Sequence, residues 1–506
     1  GSPLVQISLN APLATSLSRP DLVDRNGRLL ASDVEMPSLY ADPLLIANRD
    51  EVAEKLRTIF PDLDSQQLRD ALADKSRRFV WIKRQLAPQT AQLVHNLGLP
   101  GLAFRQELRR AYPSGRMAGH VLGGVNVDNR AVAGIERHLD EAGMVDAVVS
   151  SALTSRPAVA LSLDMRVQHA VEEELVQAVE TYRASGASAI VLDVDSGELI
   201  AAASLPFVDP ARPEMARSSQ QIDRNAGGTY ELGSIFKLLT VAMALDDGRV
   251  TPETMIDVTK PIAIGRFEIK DHHAADHPLS VADIFHKSSN VGAGRLALDA
   301  GSERQRAFLT ALGLTGRVGT QAGAVAEPQL PKSWGEIETA TIAFGHGLAV
   351  APLQFASAAA ATINGGLLRP ITLLKRQSEA AVEGTRVISE ATSLKLREMM
   401  RRNVADKGGT GSRAAVAGYD VGGKTGTAEI AVAGRYDRNA VIASFLAAFP
   451  IDKPRYLTLV LLFEPERTAA SAGEITASHT AAPLTSRIVG RIAPLLGLTP
   501  RMASIR

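Results

Sequence analysis

The amino-acid sequence predicts an α+β fold, on the evidence of two pairs of strands with helices between them. Residues 188–194 and 199–203 are apolar and β-rich, and the turn residues between them predict a hairpin. Residues 441–449 and 456–463 form a second apolar pair, separated by a proline-containing segment. Helical patterns fill the long region between the two pairs. We therefore expect one antiparallel sheet, built from early and late segments, with helices packed against it.

The predicted helices of this region follow from local signals. Residues 162–180 have a helical pattern with Asp164 as a start signal, and residues 234–247 form an apolar helix. An amphipathic stretch covers residues 279–287, and the last helical pattern covers residues 485–496.

Length and composition indicate a globular protein of more than one domain. A chain of 506 residues is too long for a single ordinary domain, and its 45% hydrophobic and 22% charged residues are typical of globular proteins. The first part of the chain mixes apolar alternation at residues 29–40 with a charged helical stretch at residues 50–72. We expect an N-terminal mixed α/β domain over residues 1–155 and a second domain over residues 156–506.

Charge and cysteine content exclude several kinds of site. Lysine and arginine total 55 and match the 55 aspartate and glutamate residues, so nucleic acid is not expected as a partner. The basic stretch at residues 75–84 is interpreted as a solvated helix or strand face. With no cysteine, the chain can form no disulfide, thiol nucleophile or Cys-ligated zinc site.

The sequence contains no apolar run of about 18 residues or more, so no membrane span is expected within it. Gly1 and Ser2 resemble the remnant of a cleaved tag. This remnant suggests that a signal or an anchor is missing at the N-terminus.

The first motif is Ser234-Ile235-Phe236-Lys237, an S-x-x-K pattern that opens the predicted apolar helix. A spacing of three places the serine and the lysine on one helical face, within side-chain reach. A serine hydroxyl is a weak nucleophile and needs a neighbouring base. Lys237 can be this base only if burial or a second cation lowers its pKa.

The second motif is Ser288-Ser289-Asn290, an S-x-N pattern after the amphipathic stretch. The Ser288 hydroxyl can relay a proton, and the Asn290 amide can hold both a substrate carbonyl and a lysine. An asparagine after serines is more often a turn or a cap, so this motif carries little weight alone.

The third motif is Lys424-Thr425-Gly426-Thr427, which we expect on an exposed strand. One cation and two hydroxyl groups there can form a pocket for a substrate carboxylate. Gly426 would let the substrate backbone approach closely. Lys424 is also the second cation that can lower the pKa of Lys237.

Taken together, the three motifs indicate a serine acyl-transferase. An S-x-x-K pattern occurs by chance in most long chains, so it means little by itself. The three motifs occur here in the order found in penicillin-binding proteins and serine β-lactamases, with the first serine opening a helix.

The surrounding residues resemble the class B penicillin-binding proteins, particularly the division-specific branch of alphaproteobacteria. The segment before the serine, Tyr230-Glu231-Leu232-Gly233, is similar to the family's Y-E-P-G, with leucine in place of the usual proline. Pro20 likewise stands where the family usually has glycine. Further segments with family resemblance span almost the whole chain: Arg19 with Asp24-Arg25-Asn26-Gly27, Tyr112-Pro113, Gly119-His120, Gly123, Gly134-Ile135-Glu136, Gly345-His346-Gly347, Ala351-Pro352-Leu353-Gln354 and residues 409–421.

This resemblance implies a penicillin-binding-protein transpeptidase fold, an antiparallel five-stranded sheet flanked by helices, with an N-terminal pedestal domain. It implies that the backbone N–H groups of Ser234 and Thr427 form the oxyanion hole. Lys424, Thr425 and Thr427 would hold the terminal carboxylate, and Asn290 the acyl side chain.

The implied activity is peptidoglycan D,D-transpeptidation through a serine acyl-enzyme, with no metal or organic cofactor. The expected partners are stem peptides ending in D-alanyl-D-alanine, β-lactam antibiotics, and cell-division proteins including a glycosyltransferase. The expected location is the inner membrane, with one N-terminal span and a periplasmic catalytic domain.

Other functions use the same motifs. A D,D-carboxypeptidase or a β-lactamase would pass the acyl group to water, although the length and the pedestal argue against a β-lactamase. An elongation-specific transpeptidase and a division scaffold with an inactive site are further alternatives. The intact motifs argue against the scaffold.

One polar cluster suggests a metal site instead. His272, His273 and His277 lie close in sequence to Asp271 and Asp276, and such residue types can bind zinc. Among the histidines, only His273 and His277 have the helical i, i+4 spacing. We interpret the cluster as a polar surface loop.

Overall fold

The structure is a computed structural model that describes residues 16–148, 156–214, 221–378, 382–432 and 435–502. Gly1 and Ser2, with the tag remnant inferred from them, lie outside the described residues. The chain divides into two compact units. The first contains the residues up to Val23, Leu29–Gly115 and Gly123–Val159, and the second contains Asp24–Arg28, Arg116–Leu122 and the residues from Ala160 onward.

The first unit is built on one long strand, Leu29–Ala41, where the sequence alternates in polarity. This strand pairs antiparallel with Leu102–Ala111 along most of its length and with Val80–Lys83 at its C-terminal end. The remaining strands up to residue 160 are short: Ser16–Ser18, Leu22–Val23, Gly124–Val125, Ala131–Ala133, Asp146–Val148 and Val159–Ala160.

The charged stretch at residues 50–72 is divided into two helices. Arg49–Ile59 ends before Pro61, which has no N–H and disfavours helical backbone in the residue before it. Asp64 starts the second helix, Ser65–Ala73, because its side chain accepts two backbone N–H groups of the first turn. The other helices before residue 160 are Pro88–Asn96, Gly119–Leu122 and Gly134–Glu141.

A buried ionic network lies inside the first unit. Glu136 accepts hydrogen bonds from Arg19 and Arg110, each at 2.7 Å, and none of the three side chains is exposed. Asp33 contacts Arg110 at 3.2 Å and accepts the backbone N–H of Arg19 at 2.7 Å. Since removing one member would leave buried charges unpaired, these side chains stabilise the unit as a set.

The second unit contains the five-stranded antiparallel sheet, as predicted. Its strand order is Leu199–Leu205, Gly186–Asp193, Tyr456–Phe463, Arg435–Phe449 and Gly422–Val432. The early hairpin and the late pair of strands are both confirmed, and the two pairs join in the middle of the sheet. The last strand in this order lies at the edge, which leaves one row of its backbone groups outside the sheet.

Helices flank this sheet. Met165–Tyr182 confirms the helix predicted at residues 162–180, and the Asp164 side chain caps it by accepting the N–H of Arg166. It packs with the last helix, Ala481–Leu495, over a shared apolar core with the sheet. The last helix begins earlier than predicted, because a proline is tolerated in a first helical turn.

The second unit also contains further α-helices and pairs of short strands. Its other α-helices are Lys237–Asp246, Val281–Lys287, Asn290–Ala300, Ser302–Ala311, Glu336–Ile342, Pro352–Ile363 and Glu390–Ala405. Short strands pair as Met255–Ile256 with Leu279–Ser280, Ile262–Ile264 with Phe267–Ile269, Gly319–Thr320 with Gly323–Ala324, and Leu367–Leu368 with Thr385–Arg386. Within the ranges that the structure describes, no helix is both long and apolar enough to cross a membrane.

We expect Glu136→Gln to lower the free energy of unfolding by about 3–5 kcal/mol, because two buried guanidinium groups lose their shared carboxylate. Urea denaturation measures this change. Glu141→Gln is the matched control, since Glu141 is an exposed residue of the same helix and should change stability by less than about 0.5 kcal/mol. Equal effects of the two substitutions would contradict the role given to the network.

Candidate active site

The serine of the S-x-x-K motif lies in a 3₁₀ turn, Gly233–Phe236, which runs directly into the predicted apolar helix. Residues three apart are aligned in a 3₁₀ turn, so Ser234 and Lys237 face the same side. Gly345 packs against this turn so closely that a Cβ on it would lie 2.2 Å from the carbonyl oxygen of Gly233. Only glycine allows this approach, which holds the turn in place.

Lys237 is fully buried, and its side-chain nitrogen contacts Ser234 and Ser288, the first serines of the first two motifs. Its Nζ lies 3.0 Å from Ser234 Oγ and 2.9 Å from Ser288 Oγ, and it donates to the Ser288 carbonyl oxygen at 2.7 Å. The first two motifs therefore meet through one nitrogen atom. The expected side-chain reach between Ser234 and Lys237 is confirmed.

Ser288 has an unusual backbone conformation that makes this contact possible. It follows the helix Val281–Lys287 with φ 61° and ψ 51°, in the left-handed region that non-glycine residues seldom adopt. Its carbonyl and its hydroxyl can then both approach Lys237. Strained backbone of this kind is frequent at functional sites.

Lys424 reaches the same serine from the edge strand. Its Nζ lies 3.0 Å from Ser288 Oγ and donates to the Thr425 carbonyl oxygen at 2.9 Å. The expectation of an exposed strand is wrong at this point, because Lys424 is fully buried and Thr425 is 8% exposed. Lys424 is directed at Ser288 from this strand, which packs against the 3₁₀ turn that carries Ser234 and against the helix Glu390–Ala405.

Burial lowers the pKa of both lysines. Burial, and next the positive charge of Lys424, hold the pKa of Lys237 well below its usual value, while Asp271 acts in the opposite direction. Burial also lowers the pKa of Lys424 to about 7. The influence of Lys424 on Lys237 was expected from the sequence. An unprotonated Lys237 amine can accept the proton of a serine hydroxyl.

The threonines of the third motif are anchored to neighbouring segments. The Thr425 hydroxyl donates to the Thr410 hydroxyl at 3.0 Å, and Thr427 Oγ1 accepts the backbone N–H of Ala477 at 3.1 Å. Thr427 remains partly exposed, so it is the more accessible of the two to a ligand.

Close packing requires glycine at position 426, which sequence reasoning did not identify. A Cβ there would lie 2.6 Å from Ser444 Oγ, 2.9 Å from the Leu232 carbonyl oxygen and 3.0 Å from Ile235 Cγ2. The glycine therefore lets the edge strand lie against the turn that carries Ser234.

Asn290 and its neighbours are oriented by a carboxylate from the histidine-rich loop. Asp271 accepts the Ser289 hydroxyl at 2.6 Å and the Val291 N–H at 3.0 Å. Asn290 is the first residue of the helix that begins here, and it is partly exposed. Sequence reasoning considered Asp271 only as a metal ligand, because contacts across 18 and 20 residues leave no local spacing signal.

The histidines of that loop do not converge. His272, His273 and His277 are exposed, and His277 pairs with the adjacent Asp276 at 2.5 Å. Across the described parts of the chain, no three histidine, aspartate or glutamate side chains are grouped as a metal site requires.

A polar rim next to Ser234 was not predicted. Glu231 accepts the Gly347 N–H at 2.8 Å and the Tyr436 hydroxyl at 3.0 Å. His346 stacks on the Tyr436 ring, with centroids 5.8 Å apart. Burial lowers the pKa of His346, and the carboxylate of Glu231 partly opposes this shift.

Comparison with protein families accounts for most of the chain. Residues 187–488 match the penicillin binding protein transpeptidase domain. Residues 15–141 match the penicillin-binding protein dimerisation domain. Ser234, Ser288 and Lys424 all lie within the first of these matches.

Curated relatives match over nearly the full length. The chain is 38% identical over 488 residues to the probable peptidoglycan D,D-transpeptidase FtsI of Caulobacter vibrioides, covering 95% of this chain and 82% of the relative. It is 34% identical to the probable peptidoglycan D,D-transpeptidase PenA of Neisseria gonorrhoeae, covering 96% of this chain and 86% of the relative. It is 32% identical to the peptidoglycan D,D-transpeptidase FtsI of Escherichia coli K12, covering 96% and 85%.

We expect Lys237→Ala to slow acylation by benzylpenicillin by about 100-fold or more, because general bases contribute about 10²–10⁴ in rate. In the unsubstituted protein the reactive form is the neutral amine. The rate should therefore fall as acid protonates Lys237 and should be insensitive to pH above its lowered pKa. Stopped-flow acylation as a function of pH measures both effects.

Lys287→Ala is the control for this experiment, since Lys287 is exposed and close in sequence to Ser288. Its rate should equal that of the unsubstituted protein. Near-normal acylation by Lys237→Ala would exclude the lysine as the base.

Proposed function

The chain belongs to the class B penicillin-binding proteins, the peptidoglycan D,D-transpeptidases, and we propose that Ser234 is the nucleophile with which it cross-links stem peptides during cell division. The observation that carries this proposal is the position of Lys237 Nζ, within 3.0 Å of Ser234 Oγ and 2.9 Å of Ser288 Oγ. A buried neutral amine there can take a proton from one serine and return it through the other.

In the first half-reaction, Ser234 Oγ attacks the carbonyl carbon of the penultimate D-alanine while Lys237 takes the hydroxyl proton. The backbone N–H groups of Ser234 and Thr427 stabilise the oxyanion. The C–N bond then breaks, and the nitrogen of the leaving D-alanine receives the proton from Lys237 through Ser288. Lys424 orients Ser288, and its positive charge favours the neutral form of Lys237.

In the second half-reaction, an amine of another stem peptide attacks the acyl-enzyme. The proton of this amine passes through Ser288 and Lys237 to Ser234 Oγ, which leaves as a hydroxyl. Thr425 and Thr427 hold the donor's terminal carboxylate before cleavage, Gly426 lies between them, and Asn290 holds the acyl side chain.

We further propose that residues 1–155 form the pedestal and residues 156–506 the transpeptidase domain. A membrane anchor ahead of this chain would place both in the periplasm, where the stem peptides are. Cell-division proteins, including a glycosyltransferase, are the proposed partners. Support for the division role comes from the similarity to the FtsI and PenA proteins across both parts of the chain.

A D,D-carboxypeptidase is the second candidate, because the same motifs could deliver the acyl group to water. An elongation-specific transpeptidase would share the chemistry with the proposed function and differ in its partners. A division scaffold would need no reactive serine, and the assembled contacts of Lys237 argue against it.

Benzylpenicillin should acylate Ser234 and leave a long-lived adduct, because the lactam carbonyl resembles the D-alanyl-D-alanine amide. Peptide mapping by mass spectrometry should place the added mass on the peptide that contains Ser234. Ser333→Ala is the control, since Ser333 is exposed and the proposed nucleophile is kept, and it should still be labelled. Added mass on another serine, or none, would refute the assignment.

Transpeptidation and hydrolysis should differ in how the acyl-enzyme responds to an amine. An acceptor bound beside Ser234 gains effective concentration by orders of magnitude over an amine in bulk solution. With a donor thioester, an added D-amino acid should therefore accelerate turnover, and the product should be the exchanged peptide. Rapid formation of the free acid, unchanged by amine, would favour the carboxypeptidase.

A further inference from the structure

A buried bridge of two hydrogen bonds connects the helix before Ser288 with the strand that carries Lys424. His286 Nδ1 lies 3.1 Å from Asn403 Oδ1, and Asn403 Nδ2 donates to the Gly423 carbonyl oxygen at 3.1 Å. Asn403 has no exposed surface, and His286 is 9% exposed. The bridge thus begins two residues before Ser288 and ends one residue before Lys424.

The donors and acceptors of the bridge fix the orientation of each group. A carbonyl oxygen can only accept, so the amide NH₂ of Asn403 must face Gly423. The Oδ1 atom of Asn403 then faces His286, and this contact requires a proton on His286 Nδ1. Loss of that donor would leave a buried acceptor unpaired, which proteins strongly avoid.

The segment around Asn403 has little freedom to move. The turn after its helix packs so tightly that a Cβ on Gly409 would lie 2.1 Å from the Asn403 carbonyl oxygen. In the same turn, the Thr410 hydroxyl accepts a hydrogen bond from Thr425 at 3.0 Å. The helix Glu390–Ala405 and its following turn are therefore attached to the edge strand on both sides of Lys424.

A second contact between the helices Val281–Lys287 and Glu390–Ala405 is partly exposed. Arg402 and Asp283 form an ion pair at 2.9 Å, with side chains 39% and 34% exposed. Solvent screens such pairs, and they contribute little to holding a fixed geometry. Two buried contacts remain: the packing of Phe285 against Lys424, whose Nζ lies 5.9 Å from the ring centroid, and the bridge through His286 and Asn403. Of these two, the bridge consists of directional hydrogen bonds and can set the distance.

We propose that His286 and Asn403 are positioning residues, which hold Ser288 at hydrogen-bond distance from Lys424 without touching the substrate. The inference rests on the proposed function, since it concerns the proton path from Lys237 through Ser288. The contacts of Ser288 Oγ with the two lysines are 2.9 and 3.0 Å long, and a shift of about 1 Å would break them.

The test compares three substitutions of one residue in the whole chain. His286→Asn keeps a donor at the position of Nδ1, so acylation by a fluorescent penicillin should stay close to that of the unsubstituted protein. His286→Leu removes the donor, and His286→Gln moves it to the position of Nε2. Both should slow acylation by about 10–100-fold. His286→Gln remains polar, which keeps the test available if His286→Leu does not fold.

The pH profile of acylation distinguishes a displaced Lys424 from a smaller fraction of folded protein as the cause of a lower rate. The groups that interact with Lys237 are Lys424 on the strand, Asp271 in the loop before Val281–Lys287, and His346 on the rim. If Lys424 moves away, its charge lowers the pKa of Lys237 less, and the acid limb of the acylation profile moves to higher pH. A smaller folded fraction would scale the profile and leave its midpoint unchanged.

Arg402→Gln is the matched control, because it breaks the partly exposed ion pair between Arg402 and Asp283. Its acylation rate and pH profile should equal those of the unsubstituted protein. Equal rates for His286→Asn and His286→Gln, or an unmoved acid limb in His286→Gln, would overturn the inference. If the unsubstituted protein is not acylated at Ser234, the proposed function fails. If it is acylated and only the rescue by asparagine fails, the positioning role alone is wrong.

Discussion

The structure depends on one constraint, the burial of the Lys237 amine among hydroxyl and carbonyl groups. A buried ammonium without a hydrogen-bonded carboxylate is disfavoured, which holds the pKa of Lys237 well below its usual value. Among the contacts of the described residues, Lys237 Nζ has Ser234 and Ser288 as its partners. A carboxylate at the same distance would favour the charged form and remove the base. The chemistry therefore requires hydroxyl and carbonyl groups as the direct hydrogen-bond partners of Lys237.

The sheet provides the support for this arrangement. Its edge strand carries Lys424, and its central pair joins segments far apart in sequence. The apolar core with Met165–Tyr182 and Ala481–Leu495 holds the sheet against the helices. Burying Lys237 and Lys424 close to one another raises the free energy of the folded protein. The apolar packing of the sheet and helices offsets this cost.

Local signals determined which elements form. Asp164 begins a helix, and the turn between residues 193 and 199 makes a hairpin, as their sequence patterns predict. The sequence patterns predicted helix boundaries less well where a proline lies near the start or end of a helix. Pro61 separates two helices, whereas Pro483 is accepted within a first turn. The position of a proline relative to the helix start decides between these outcomes.

The sequence by itself determined the reactive residue types, since the spacing of Ser234 and Lys237 guarantees their contact within one turn. Only the tertiary structure decided that Lys424 is buried and directed at Ser288, and that Asn403 donates to the Gly423 carbonyl oxygen next to Lys424. Ser288 and Lys424 are 136 residues apart along the chain. Spacing along the sequence reports contacts within a helical turn, whereas distances between elements follow from the order of strands and the packing of helices.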